Sequence, residues 1–317
     1  MIWFHIFIFI SSLVLLFFSS NFLVKSLTKI AKFLGWKEFV VAFFLCAFSV
    51  SIPNFFVGII SALNKIPELS FGDIIGGNVI ALTLLVSLGA FISKAGLQAQ
   101  SRTVQGSSLF TIFIAFLPLF LASDGLISRP DGILLILIFL GYIFWLFQKK
   151  ERFIKIYDGI LEPMESKFIF KNLFLFLISV PLLLIAAKGI VSSSLFFANY
   201  LNLSLPLIGI LIVSLGNSLP ELFFISQAAK KSQDWLILGD LMGGVIITST
   251  LILGIVALIC PIKIINLPVI LIARTFLIIS AIFFLFFVRT DRKITKKEAL
   301  FLLGIYITFV LVEILSK

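Results

Sequence analysis

Three acidic residues, Asp73, Glu221 and Asp240, fall inside otherwise apolar stretches of this 317-residue chain. A carboxylate at the centre of a membrane helix costs roughly 2.5–3.5 kcal/mol on insertion scales, so three unpaired ones cost on the order of 10 kcal/mol. Such groups need a counter-charge, water or a cation. The chemistry they suit is the binding and passing of inorganic cations or protons. Glu221 directly follows Pro220 in the run Ser218-Leu219-Pro220-Glu221. A proline inside a helix removes a backbone donor and clashes with the preceding turn, freeing carbonyl groups that can face an ion. The alternative is a plain kink satisfied by a serine hydroxyl.

The same grammar occurs twice. Ser51-Ile52-Pro53-Asn54 aligns with Ser218-Leu219-Pro220-Glu221, and Gly72-Asp73-Ile74-Ile75-Gly76-Gly77 aligns with Gly239-Asp240-Leu241-Met242-Gly243-Gly244. Thr83 aligns with Thr250, and every pair has the same offset. The step from Asn54 in the polar segment to Asp73 in the Gly-rich segment therefore equals the step from Glu221 to Asp240. Gly residues one turn apart let helix backbones approach closely, so Gly76, Gly77, Gly243 and Gly244 are expected to pack the following helices against the broken ones. Asp73 and Asp240 are expected in the first turn of their helices. There a carboxylate meets the positive end of the helix dipole; otherwise the two line an access path or take part in binding.

The elements that position these residues follow from hydropathy. Ten candidate spans run over about 2–24, 39–63, 70–92, 107–122, 132–147, 172–198, 205–229, 235–260, 268–288 and 299–315; about 20 apolar residues are needed per span. The first lacks a basic leader and a small-residue cleavage site, and reads as a retained helix rather than a signal peptide. Each copy of the repeat holds five spans, an odd number, so the second copy enters the membrane from the opposite side. The expectation is an all-α polytopic membrane protein: ten transmembrane helices as two inverted five-helix repeats, 1–147 and 172–317, with helices 2 and 7 broken at Pro53 and Pro220 and a connecting loop over 148–171. Nineteen Lys and Arg lie in the loops after odd-numbered spans, against four on the other side. Basic loops face the cytoplasm, which puts loop 148–171 inside, both termini outside and the chain in the plasma membrane. Lys188 falls midway along helix 6, opposite Asn21 in the repeat, and is expected to neutralise one intramembrane carboxylate.

Composition narrows the functional classes. Hydrophobic residues make up 61% of the chain and charged residues 13%, against about 45–50% and 25% in soluble domains. That excludes a soluble enzyme, a disordered chain and a nucleic-acid binder. A single His and two Cys, Cys46 and Cys260, give no His-based metal centre and no CxxC pair. No phosphate-binding GxxxxGK[ST] run occurs, which argues against an ATP-driven pump. No bound cofactor and no soluble partner are indicated; the expected partners are inorganic cations and the lipid bilayer.

With these residues in view, the sequence resembles the cation/calcium exchanger superfamily, the sodium/calcium exchangers of prokaryotic type. Their signature reads approximately G-T-S-L-P-E, followed some twenty residues on by G-N-x-x-G-S-N. Here the second copy reads Gly216-Asn217-Ser218-Leu219-Pro220-Glu221 and the first Ser49-Val50-Ser51-Ile52-Pro53-Asn54. The later parts read Gly72-Asp73-x-x-Gly76-Gly77-Asn78 and Gly239-Asp240-x-x-Gly243-Gly244-Val245. The resemblance implies two glutamates, one per repeat, at the centre of a midplane site completed by Thr, Ser, Asn or Asp side chains and helix-break carbonyls. Carried over, Glu221, Ser51 and Ser218 are retained, Asn54 replaces the other glutamate, and Val50 and Asn217 stand at the Thr positions. Gly77 and Gly244 replace a Ser, and Ala81 and Thr248 stand where an Asn or Asp belongs.

The implied cation site is therefore Glu221, Asn54, Ser51, Ser218, Asn217 and Thr248, with Asp73, Asp240, Asn78 and Lys188 in a supporting layer or on the access path. Calcium takes six to eight oxygens, several anionic, and one central carboxylate makes a poor calcium cage unless Asp73 and Asp240 reach inward. The expected activity is secondary active antiport, with sodium/calcium exchange the first reading and the transported ions Na+, Ca2+ or H+. A sodium or potassium/proton antiporter working through Glu221 is the second. A transport-inactive homologue acting as a cation sensor or scaffold is the third.

Overall fold

The computed structural model describes residues 2–33, 48–100, 102–148, 166–264 and 267–315. Cys46, the expected start of the second span at 39–47, and residues 149–165 of the expected loop lie outside the described residues. The described chain is helical except for four two-residue strands. Its helices are α1 (Ile2–Phe33), α2 (Ser49–Leu63), α3 (Pro67–Ile92), α4 (Arg102–Leu121), α5 (Arg129–Gln148) and α6 (Ser166–Leu201). The broken helix α7a (Leu205–Asn217) and α7b (Leu219–Lys230) comes next, then α8 (234–259), α9 (Leu267–Arg289) and α10 (Lys296–Leu315). Eight helices are long and apolar enough to cross a membrane, nine if the bent pair α7a/α7b is one span, and α2 is a shorter apolar helix. Several helices run past their apolar stretch: α1 continues to Phe33 and α6 begins at Ser166. Polar residues do not stop a helix, so hydropathy alone sets its boundaries too short.

Outward-facing positions carry large apolar side chains, among them Phe7, Phe113, Leu137, Phe174, Ile185 and Phe286. A surface this apolar is stable only against lipid. The chain is a multi-pass membrane protein.

Element boundaries recur at the spacing of the sequence repeat. A π-helical segment interrupts α3 at Ala81–Leu85 and another interrupts α8 at Thr248–Ile252. A left-handed residue ends the turn before α3 at Lys65 and before α8 at Ser232, and others lie at Gly125 and Arg292. Before α5, the backbone N–H and hydroxyl of Ser128 both donate to Asp131 Oδ2 at 2.8 and 2.6 Å. Before α10, Thr295 does the same to Glu298 Oε2, both at 2.7 Å. Each is a hydroxyl residue followed three positions on by an acid, the pattern that starts a helix.

The strands tie the two halves together. β1 (Leu97–Gln98) pairs antiparallel with β4 (Lys293–Ile294), and β2 (Leu126–Ile127) with β3 (Ile262–Lys263). Each pair takes one strand from either half. Near the β1–β4 pair, Ser93 Oγ and the Gln98 N–H donate to the two carboxylate oxygens of Asp234, at 3.0 and 3.1 Å. The end of α3 therefore meets the beginning of α8. β3, which follows α8, lies against the first part of α3, so the two helices run antiparallel.

The buried apolar residues form two clusters. The larger spans α3, α4, α5, α8, α9 and α10. The smaller joins α1 and α6 to α2 and α7a through residues such as Leu16, Phe56, Ala187 and Val213. α1 lies along α6, with the ring of His5 stacked on Phe196 at 3.8 Å and Gly189 seated against Ser12.

Candidate functional site

The helix break falls at Ser218, where α7a and α7b meet at 41°. Pro220 occupies the first positions of α7b, where a proline loses no hydrogen bond because the N–H there has no partner in any helix. Breaks were expected at both prolines. Pro53 instead lies inside the continuous helix Ser49–Leu63. It sits near the helix start, where its missing N–H removes only one early bond, so no bend follows within the described residues.

Two close backbone contacts hold α3 against α7a. A Cβ at Gly72 would collide with the carbonyl of Pro206, and one at Gly76 with the carbonyl of Ile210 and with Ser214 Oγ. Gly209 is equally pressed, against Leu69 and the Asp73 backbone. The first Gly run thus packs as expected. In the second, a Cβ at Gly239 would meet nothing within 4 Å among the described residues.

This approach sets up the best-defined polar contact of the site. Asn217 Nδ2 donates to Asp73 Oδ2 at 2.9 Å. Both residues are buried, and the remaining oxygen of each, Asp73 Oδ1 and Asn217 Oδ1, has no hydrogen-bond partner. Asp240 is also fully buried, and neither of its carboxylate oxygens has a partner. Both aspartates were expected in the first turn of their helices. Each is instead the seventh residue of its helix, two turns in, because α3 begins at Pro67 and α8 at Asp234. The dipole of the helix start acts within the first turn and does not account for them; Glu68 and Asp234 hold those positions.

Glu221 is the third residue of α7b and is partly buried. Its charge interacts directly with that of Asp73, and that of Asp240 with Glu221. The three carboxylates thus share one electrostatic environment. They do not converge: among the described residues no three His, Cys, Asp or Glu side chains come together as a metal cage.

Asn54, Ser51, Ser218 and Thr248 are all buried. Asn54 Nδ2 lies 3.9 Å from where a Cβ on Gly77 would be, so glycine there leaves room beside the amide. Ser218 Oγ donates to Ser214 O at 2.7 Å, which uses its proton and leaves its lone pairs free. Asn78, in the supporting layer, is fully engaged: its Nδ2 donates to Ser249 Oγ at 2.7 Å and its Oδ1 accepts from Thr248 Oγ1 at 3.1 Å. The position where the family's second ligand set belongs is therefore closed by a neutral Asn–Thr–Ser link between α3 and α8. Ser249 was missed because its counterpart at the repeat spacing is Leu82, which broke the pattern.

Two expectations fail. Lys188 is exposed on the outer stripe of α6 with Ile185 and Leu184, and Asn21, its repeat partner, is exposed as well. A long flexible side chain on a lipid-facing helix carries its charge outward, so Lys188 does not neutralise the carboxylates. Glu313, which reads as a span-end acid, is fully buried on α10.

A helix broken beside a carboxylate, in an otherwise apolar helical membrane fold, is the architecture of a secondary transporter. Comparison with known proteins gives the family. The Sodium/calcium exchanger protein family matches residues 4–148 and 171–315, and the chain belongs to that family of membrane transporters, which are not enzymes. The sodium/calcium exchanger MaX1 of Methanosarcina acetivorans is 26% identical over 342 residues, covering 95% of each chain. A membrane protein of Methanocaldococcus jannaschii, MJ0091, is 27% identical over 236 residues, covering 74% of this chain and 75% of its own. The fold is similar to that of the sodium-calcium exchanger NCX_Mj soaked with sodium and strontium, with a TM-score of 0.65, 24% identity and 98% of each chain covered.

Proposed function

We propose that this protein is a secondary active cation antiporter that exchanges sodium for a second cation by alternating access around Glu221. The observation that carries this reading is a carboxylate three residues past the bend of a broken helix, with two further buried carboxylates in electrostatic reach. None of the three makes an ion pair with a described basic residue. A positive charge from solution resolves this, and the ends of α7a and α7b supply carbonyl and N–H groups beside it. Asn54, Ser51, Ser218, Asn217 and Thr248 complete the site.

The architecture we infer is ten spans in two inverted five-helix repeats. Support comes from the recurrence of π segments, left-handed turns and helix caps at the repeat spacing. It comes also from equivalent strands pairing crosswise, β1 with β4 and β3 with β2. The basic loops make 148–171 cytoplasmic and both termini external. Alternating access arises from α1 and α6 moving together against the remainder, a division that matches the separate small apolar cluster they share with α2 and α7a.

Calcium is the first counter-ion, by kinship with MaX1. A specific observation favours a second reading, exchange of sodium or potassium for protons: no three carboxylates converge among the described residues, whereas calcium takes several anionic oxygens at once. Sodium-loaded proteoliposomes diluted into sodium-free buffer separate the two. Uptake of radioactive calcium supports the first; a proton flux without calcium supports the second. Glu221→Gln abolishes either flux. If no gradient of sodium, potassium or protons drives any cation movement, the antiporter reading is wrong.

A further inference from the structure

The three carboxylates lie at different heights. The contact of Ser93 and Gln98 with Asp234 marks one end of the molecule. Asp240 is six residues into α8 from that end, about 9 Å along a helix rising ~1.5 Å per residue. Glu221 is ten residues before Lys231, in the turn leading to α8, about 15 Å from the same end. Asp73 lies twenty residues before Ser93, farther from that end than either. Glu221 is therefore the middle member. The electrostatic pairs agree with that order, since Asp73 acts on Glu221 and Glu221 on Asp240.

Each outer member is built to hold a positive charge. At Asp73, the Asn217 amide spends its donor on Oδ2, leaving only oxygen acceptors, Asp73 Oδ1 and Asn217 Oδ1, buried and without partners. At Asp240 both oxygens are buried and without partners. A buried acceptor left unsatisfied is costly, and more so when charged. A divalent cation needs several anionic ligands at one point, and these carboxylates stand apart. A separate carboxylate cancels one positive charge.

We propose that Asp73 and Asp240 form two further monovalent-cation sites flanking Glu221 along the transport axis, the Asp73–Asn217 site serving the face where α3 begins and the Asp240 site the opposite face. Sodium is the ion assigned. The inference rests on the exchange reading above. It adds sidedness: each aspartate governs sodium affinity at its own membrane face.

The test uses the full chain reconstituted in vesicles of known orientation. The half-saturating sodium concentration for coupled flux is measured from each face in turn, for the natural protein, Asp73→Asn and Asp240→Asn. Asp73→Asn raises it about tenfold at the face where α3 begins, the scale of one lost charge-assisted ligand, and leaves the other face unchanged. Asp240→Asn gives the reverse. A change at both faces, at neither, or in pH dependence alone overturns the proposal. Binding of radioactive sodium to the purified natural protein provides a readout independent of transport and of variant folding. Two or more ions per chain are expected, and one or none overturns the proposal. If the natural protein carries no coupled flux yet binds sodium with that stoichiometry, the antiport reading fails and the sites stand.

Discussion

Gly72 and Gly239 stand at equivalent positions of the two repeats, and alanine at the two should have opposite effects. At Gly72 the new Cβ collides with the Pro206 carbonyl oxygen and comes within 2.9 Å of its carbon and 3.0 Å of its Cα. These are backbone atoms and cannot swing aside as a side chain can. Overpacking of this kind costs ~1–3 kcal/mol, and with backbone on the receiving side the upper end applies. Alanine returns about 1 kcal/mol of helix propensity, leaving a net loss of about 2 kcal/mol. At Gly239 the Cβ meets nothing within 4 Å, so only the propensity gain of up to about 1 kcal/mol remains. The pair should differ by about 3 kcal/mol, or roughly 6–12 °C in midpoint at the 2–4 °C per kcal/mol of larger domains. Thermal unfolding of the detergent-purified variants, followed by tryptophan fluorescence, measures this. Gly72→Ala should also weaken coupled flux, because parting α3 from α7a lengthens the 2.9 Å bond between Asn217 and Asp73. Equal midpoints for the two variants, or Gly72→Ala at least as stable as the natural protein, would refute the packing argument.

Asn54→Glu places a second carboxylate beside Gly77, where there is space for it. Half-saturating calcium in vesicle flux should fall about tenfold or more, as a charged ligand contributes roughly 1.5–3 kcal/mol; no gain would mean calcium is not held at this point. Lys188→Met should leave the sodium dependence of flux unchanged, since the side chain faces outward. A shift in that dependence would place its charge within reach of the site after all.

Much of this fold is legible in the sequence because it is written twice. The equal step between Pro-containing and Gly-containing segments in the two copies, and their recurrence at one fixed offset, locate the elements that carry Asp73, Glu221 and Asp240. What escapes is whatever depends on where a helix begins. Hydropathy starts α3 near residue 70, so Asp73 reads as a first-turn carboxylate, whereas Pro67 opens the helix and carries Asp73 two turns inside. The π segments escape because they are defined by backbone hydrogen bonds and not by side-chain type. The direction of Lys188 escapes because a single charge in an apolar span says nothing about which face it occupies; only the neighbouring Leu184 and Ile185, exposed on the same stripe, decide it. The Asn78–Ser249 bond joins residues 171 positions apart, and Leu82 at the matching position hides it from a comparison of repeats.

The crosswise strand pairs restrict how such a molecule can open. β1–β4 rivets the two halves at one surface and β2–β3 rivets them at the other. Spreading the halves like a hinged book would tear a backbone ladder at whichever surface parted. The helices outside this double seam, α1 and α6, lie along each other as a single panel. A panel sliding over a stapled frame can uncover the pocket to one side and then the other while both seams stay shut.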